Sequence, residues 1–197
     1  MSSGRRAGLT RDTIPDPLEA PVATVVSTLF ISLDGVAEID PAWHFPYFDD
    51  EMGAAVAEDY EDVDVLVLGR VTYDSFAGAW PDREAAGGED AAFAAQLGDV
   101  RKLVATRGEQ DLGWRNVERT ADVVASVRAL RDDPAVGKVL LAGSISVVRQ
   151  LLDAGLLDEL DVRGRAGDAD LLGGGRVEVR HAGQATRGRP TRDDRPR

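Results

Sequence analysis

Two points in this chain bring glycine and hydroxyl groups together, the first with a guanidinium beside them, in a pattern suited to holding an anion. At the first, Val65-Leu66-Val67-Leu68 runs into Gly69-Arg70-Val71-Thr72-Tyr73; at the second, Val139-Leu140-Leu141 runs into Ala142-Gly143-Ser144. A short apolar run that ends on glycine before an amphipathic stretch reads as a buried strand feeding a helix. The start of a helix presents free N–H groups and the positive end of the helix dipole, and glycine lets a ligand come close to the backbone. Two such ends in one domain suit a dinucleotide pyrophosphate. Gly69 and Gly143 also have a plainer reading as residues that permit tight turns, with Arg70 as a surface charge.

Composition narrows the chemistry. The 197 residues suit a single domain, and 43% hydrophobic content is enough for a core. A formal charge of −12 argues against a general affinity for nucleic acid or an anionic membrane. The absence of cysteine removes thiolate nucleophiles and Cys-built zinc sites, and with only His44 and His181 a histidine metal cluster is not expected. Residues 1–21 lack the apolar segment of a signal peptide and no run reaches transmembrane length, so a cytoplasmic location is expected. Chemistry must then come from a cofactor, carboxylates or hydroxyls.

The elements that would position these groups alternate. Residues 1–21 have the composition of a disordered extension, and the domain is expected from Val22 to residue 180. Thr24 to Ile31 reads as a buried strand, and Ser32-Leu33-Asp34-Gly35 as the turn that leaves it. Asp49 is placed to cap a helix with apolar positions Met52, Ala55, Val56 and Tyr60, followed by a strand from Val63 to Leu68. Residues 81–90 read as loop, Ala91 to Leu97 as a short helix, Lys102 to Thr106 as a strand, and Trp114 to Thr120 as another. A helix from Asp122, a strand from Lys138 to Leu141, and a helix from Ser144 to Ala154 with Gly155 after it complete an α/β pattern with a substantially parallel sheet.

Taken in order, Ser32-Leu33-Asp34-Gly35, Pro46-Tyr47-Phe48-Asp49-Asp50-Glu51-Met52-Gly53, Leu66 to Tyr73 leading to Ala79-Trp80-Pro81, Gly143-Ser144 and Leu156-Leu157-Asp158-Glu159-Leu160 resemble the dihydrofolate reductase-like family. Within it, they are most similar to stand-alone relatives of the reductase domain of the bifunctional riboflavin-biosynthesis deaminase/reductase, over about residues 22–162. The resemblance implies a twisted, mainly parallel sheet flanked by helices that binds NADPH and delivers hydride to a C=N or C=O bond of a small heterocyclic or sugar-derived substrate. It implies that Arg70 and Thr72 hold cofactor phosphate beside Gly69, that Gly143 and Ser144 hold the pyrophosphate, and that Thr106 and Arg107 meet the adenosine 2′-phosphate. It places Asp34, as the catalytic carboxyl, near nicotinamide and substrate, and it implies a homodimer; the aromatic-rich segment of Trp43, His44, Tyr47 and Phe48 reads separately as a candidate wall of the substrate pocket.

The residues themselves leave alternatives open. Asp34-Gly35 is an ordinary turn signal, aromatic clusters are more often packing than recognition, and a non-catalytic nucleotide-binding module would keep the same phosphate sites. The C-terminal stretch departs from the family pattern. Arg163 to Asp170 does not read as strand, no aromatic residue follows Trp114, and residues 181–197 have the composition of a disordered tail. The closing strands of the sheet are therefore expected to be degraded.

Overall fold

β-Branched and apolar residues build the spine of a seven-stranded sheet. The computed structural model describes residues 22–31, 37, 49–164 and 175–178. In chain order its elements are β1 (Thr24–Ile31), α1 (Asp50–Asp59), β2 (Val65–Gly69), α2 (Arg70–Ala77), α3 (Trp80–Ala86), α4 (Ala91–Asp99), β3 (Arg101–Ala105), β4 (Val117–Thr120), α5 (Val123–Arg131), β5 (Lys138–Ala142), α6 (Ile145–Asp153), β6 (Glu159–Gly164) and β7 (Gly175–Glu178). The strands lie in the order β4-β3-β2-β5-β1-β6-β7. Every pair from β4 to β6 is parallel, and β7 adds antiparallel to β6.

Both faces of this sheet are covered, which is why its strands read as continuous apolar runs rather than as alternating ones. Side chains on successive residues point to opposite faces. Val65, Val67, Val139 and Leu141 pack with Val127 and Leu130 of α5 and Val147, Val148 and Leu151 of α6. Leu66, Leu68, Leu140 and Ala142 face the other way, against Tyr73 of α2, Leu97 of α4 and Tyr60 just after α1. Each fully buried leucine or valine contributes about 1.5–3 kcal/mol relative to exposure.

Local signals explain most element ends. The Asp49 carboxylate accepts from the Met52 N–H at 2.9 Å, and the Asp122 carboxylate from that of Ala125 at 3.0 Å, so both act as the N-caps expected of them. Gly155 takes φ +66° after α6, where Leu156 N–H returns to the Leu151 carbonyl at 2.9 Å and closes the helix. The Asp158-Glu159-Leu160 motif has a structural use: Asp158 accepts from Val25 N–H at 2.9 Å and pairs with Arg131 at 2.6 Å, pinning the start of β6 to β1 and to the end of α5.

Three expectations change. The stretch read as loop begins with the helix α3, because Pro81 sits in its first turn, where a missing N–H costs nothing, and Gly87 ends it at φ +68°. The strand expected from Trp114 begins at Val117; Trp114 is buried against α2, its backbone N–H donating to the Tyr73 hydroxyl at 3.2 Å. β6 continues past Val162 to Gly164, and β7 follows, so strand pairing extends beyond the expected break. Arg163 is accepted in a strand because α1 offers it a carboxylate: its Nε donates to Asp59 Oδ2 at 3.0 Å, and Nη2 donates to Oδ1 and to the Ala55 carbonyl. The proposed disordered segments, 1–21 and 181–197, lie outside the described residues.

Buried Lys102 gives the fold a pH signature. Its ammonium donates to the carbonyls of Gly98 at 2.9 Å and Val100 at 2.7 Å, just at the end of α4, and lies 4.4 Å from the centre of the Trp114 ring. Burial, with the nearby Arg115 charge, lowers its pKa from 10.5 to about 8. Between about 8 and 10.5 the unfolded chain holds this proton and the folded chain does not, so stability rises with pH across that window. Burial, and then Asp59, pushes the Tyr60 phenol well above its ordinary value of 10.0, so above that pH the unfolded state gains by ionising and stability falls. No thiol titrates in the same range, since the chain has no cysteine. Urea midpoints are expected to rise from pH 7.5 to 9.5, and Lys102→Met is expected to flatten that rise; an unchanged slope in the variant would contradict the assignment.

Candidate functional site

The carboxyl ends of the parallel strands share one edge of the sheet, and the connections that leave β2 and β5 run in opposite directions. From β2 the chain goes outward through α2, α3 and α4 to β3; from β5 it goes the other way through α6 to β6. A crevice opens outside the sheet at such a switch point, and ligands of open α/β sheets bind there. The two glycine junctions flank this switch point. Gly69 ends β2, Gly143 follows β5, and β2 and β5 are neighbours.

Hydrogen bonds lock the junctions together. Gly69 N–H donates to Ser144 Oγ at 2.7 Å, and Ser144 Oγ donates to Thr72 Oγ1 at 2.8 Å. Gly143 N–H donates to the Thr28 carbonyl at 3.1 Å, tying the second junction to β1. Gly143 and Ser144 both adopt left-handed backbone, with φ +68° and +59°. A methyl group added at Gly143 would meet Thr72 Cγ2 at 3.7 Å, an ordinary contact, so it is the left-handed backbone angle and not crowding that calls for glycine here. Neither α2 nor α6 has a side-chain cap, which leaves the dipole ends of both helices for another partner.

Arg70 stands at the first position of α2 and is half engaged. Its Nε donates to Asp74 at 2.9 Å, one helical turn on, and its guanidinium lies 5.9 Å from the centre of the Tyr73 ring. Its Nη1 is buried and has no hydrogen-bond partner among the described residues. A buried guanidinium N–H left unmatched is costly, and an anionic group is the kind of acceptor that would satisfy it. Next to it Val71 is exposed at 84%, unusual for a valine and set on the helix start that faces the crevice.

Thr106 and Arg107 follow β3, whose Ala105 pairs with Gly69. Thr106 N–H donates to the Thr120 carbonyl at 2.9 Å, and Thr106 Oγ1 accepts from Gly108 N–H at 3.1 Å, forming a tight turn that presents Arg107 to solvent. Arg107 has no ion-pair partner among the described residues. Thr120 Oγ1 and Ser126 Oγ, 2.8 Å apart, close the outer end of the same edge. Gly69, Arg70, Thr72, Thr106, Arg107, Gly143 and Ser144 thus fall on one rim. Asp34, Trp43 and Phe48 lie outside the described residues. Tyr73 and Asp74, which orient Arg70, were not singled out in the sequence, although the Arg-Asp spacing of four was a visible helix-pair signal.

The model of the RibD C-terminal domain family matches residues 23–163. The chain belongs to that family. It is a reductase-type family, and the matched region of this RibD C-terminal domain runs from the start of β1 into β6. No curated protein matches the chain. Among solved structures, dihydrofolate reductase from Schistosoma mansoni is similar at a TM-score of 0.50 and 13% identity, over 76% of this chain and 77% of that one, which shows a dihydrofolate reductase-like fold. A riboflavin biosynthesis protein from Shewanella sp. PV-4 gives 0.47 and 17% over 72% and 76%. The diaminohydroxyphosphoribosylaminopyrimidine deaminase/5-amino-6-(5-phosphoribosylamino)uracil reductase from Thermotoga maritima gives 0.46 and 17% over 73% of this chain and 44% of that chain. Among the described residues no helix is long and apolar enough to cross a membrane.

Proposed function

We propose that this chain is an NADPH-dependent reductase that transfers hydride to a C=N or C=O bond of a small heterocyclic or sugar-derived substrate, of the class represented by 5-amino-6-(5-phosphoribosylamino)uracil. The observation that carries this reading is the pairing of two uncapped helix starts at the sheet switch point, joined through Ser144 beside an Arg70 N–H that lacks a partner among the described residues. Two helix dipoles and a guanidinium converging on one gap match the charge of a pyrophosphate. Glycine at 143, with no side chain of its own, suits the close backbone approach that such a group needs. Arg107, free of ion pairs among the described residues and further along the same rim, is assigned to the 2′-phosphate that distinguishes NADPH from NADH.

When bound, the nicotinamide supplies the hydride. This chain's own residues do the holding: Arg70 and Thr72 bind phosphate, Gly143 admits it, and Arg107 selects the phosphorylated ribose. We assign the accompanying proton to Asp34 or to a water that it orients.

Titration of the purified protein with NADPH and NADH, followed by nicotinamide fluorescence, tests the assignment. Arg70→Ala is expected to weaken both cofactors by about tenfold to a hundredfold, the worth of one or two hydrogen bonds to a charged group. Arg107→Ala is expected to weaken NADPH by a similar factor while leaving NADH unchanged. Equal binding of the two cofactors by the unaltered protein would refute the assignment of Arg107. Turnover is then read as loss of nicotinamide absorbance with pterin, aminopyrimidine-ribosyl and small carbonyl substrates; NADPH binding with no turnover on any of them would make the chain a binding module.

A further inference from the structure

We propose that Ser144 is a positioning residue, whose hydroxyl holds the Thr72 hydroxyl as a hydrogen-bond donor toward the crevice and is not itself a ligand of the cofactor phosphates. This rests on the reading of the crevice as a dinucleotide site. A serine hydroxyl has a single proton. In this structure Ser144 gives that proton to Thr72 Oγ1 at 2.8 Å, while its oxygen accepts from Gly69 N–H at 2.7 Å. What remains on Ser144 is a lone pair, which repels a phosphate oxygen.

Thr72 is left in the complementary state. Its oxygen already accepts from Ser144, and it has no other hydrogen-bond partner among the described residues. Its own proton is therefore available at the first turn of α2, beside Arg70. The three groups form a directed chain, Gly69 N–H to Ser144 O–H to Thr72 O–H, and such chains polarise each member toward donating further. The backbone amide of one junction is in this way connected through the second junction to a donor on the first.

The surrounding geometry is shaped around this contact. Ser144 adopts φ +59° and ψ +53°, a conformation that non-glycine residues rarely hold, and its side chain does not cap the helix it precedes. A methyl group at Gly69 would come within 3.3 Å of Ser144 Oγ and 3.4 Å of Ser144 Cβ, so glycine at 69 is what admits the serine. Joined in this way, α2 and α6 keep a fixed spacing at the crevice before any ligand arrives, and an anion meets donors that are already aimed.

The test compares Ser144→Ala with Ser144→Gly, Thr72→Val and the double variant Thr72→Val/Ser144→Gly, each checked for folding by circular dichroism and titrated with NADPH. Alanine keeps the backbone strain and glycine removes it, whereas both delete the hydroxyl. Both are expected to weaken NADPH by about tenfold, the same as Thr72→Val, and the double variant is expected to be no weaker than Thr72→Val alone. Thr72→Ser, which keeps the hydroxyl, is expected to stay near the unaltered protein. Losses that multiply in the double variant would mean that Ser144 contacts phosphate by itself and would overturn the proposal. So would a loss in Ser144→Ala that Ser144→Gly does not share, which is strain alone. Unchanged affinity in both Ser144 variants with a loss in Thr72→Val would leave the dinucleotide site standing and remove the role of Ser144. A folded, unaltered protein that does not bind NADPH would overturn the dinucleotide reading, and the proposal with it.

Discussion

Replacing Asp59 with alanine is expected to destabilise the protein by about 3–5 kcal/mol, the usual cost of leaving one member of a buried ion pair without the other. Asp59 is 3% exposed at the end of α1 and serves two elements at once. Its carboxylate accepts from Arg163 of β6 and from Thr28 Oγ1 of β1, the latter at 3.0 Å. Alanine would strand the Arg163 guanidinium between α1 and the sheet, with only the Ala55 carbonyl at 3.2 Å to receive it among the described residues. The measurement is a urea midpoint at unchanged slope. A companion pair separates lost pairing from lost packing. Asp59→Asn keeps an acceptor for Thr28, and adding Arg163→Met removes the charge that asparagine leaves unpaired; the double variant is expected to be more stable than Asp59→Asn alone. If it is less stable, Arg163 contributes by packing and not by charge.

The largest expected loss in ligand binding is that of Gly143→Val. Gly143 holds φ +68°, where any side chain is strained and a β-branched one most of all. The space beside it admits a Cβ at 3.7 Å from Thr72 Cγ2, so alanine fits sterically and suffers only from the backbone angle. Valine must also place two methyl groups in the gap between the helix starts. NADPH affinity is expected to fall about tenfold for Gly143→Ala and at least a hundredfold for Gly143→Val, with folding retained and the loss read by fluorescence titration. Wild-type affinity in the valine variant would show that the crevice is not where the cofactor binds.

The order of elements was legible in this chain because its signals are local. Asp49 and Asp122 announce helix starts, Gly155 announces a helix end, and Val65 to Leu68 and Val139 to Leu141 can only be buried strands. The helix α3 was hidden by Pro81 and the glycines after it, residues that mark loops as readily as they mark the two ends of a helix. The site was legible as two separate glycine junctions. That they face each other depends on β2 and β5 being neighbours, which sequence order alone does not state. Contacts between residues far apart in sequence left no signal at all. Asp59 and Arg163 are separated by 104 positions, and Gly69 and Ser144 by 75, and nothing around either residue names its partner. Arg163 even misled, since an arginine between a valine and a glycine looks like the end of a strand until a buried carboxylate is placed over it.

The place of β1 has a consequence for how the chain is made. The earliest of the described strands lies between β5 and β6, and the backbone of Val25 is anchored to Asp158, 133 residues later. On the ribosome, therefore, Thr24 to Ile31 emerges long before either neighbour exists. An apolar, β-branched segment waiting with both edges open is the kind of strand that recruits the wrong partner. Folding must close long loops to complete the centre of the sheet, which makes it slow by topology. Nascent chains that end before β5 cannot acquire the native sheet, and until that strand emerges their survival depends on keeping Val25, Val26, Leu29 and Phe30 away from one another's copies.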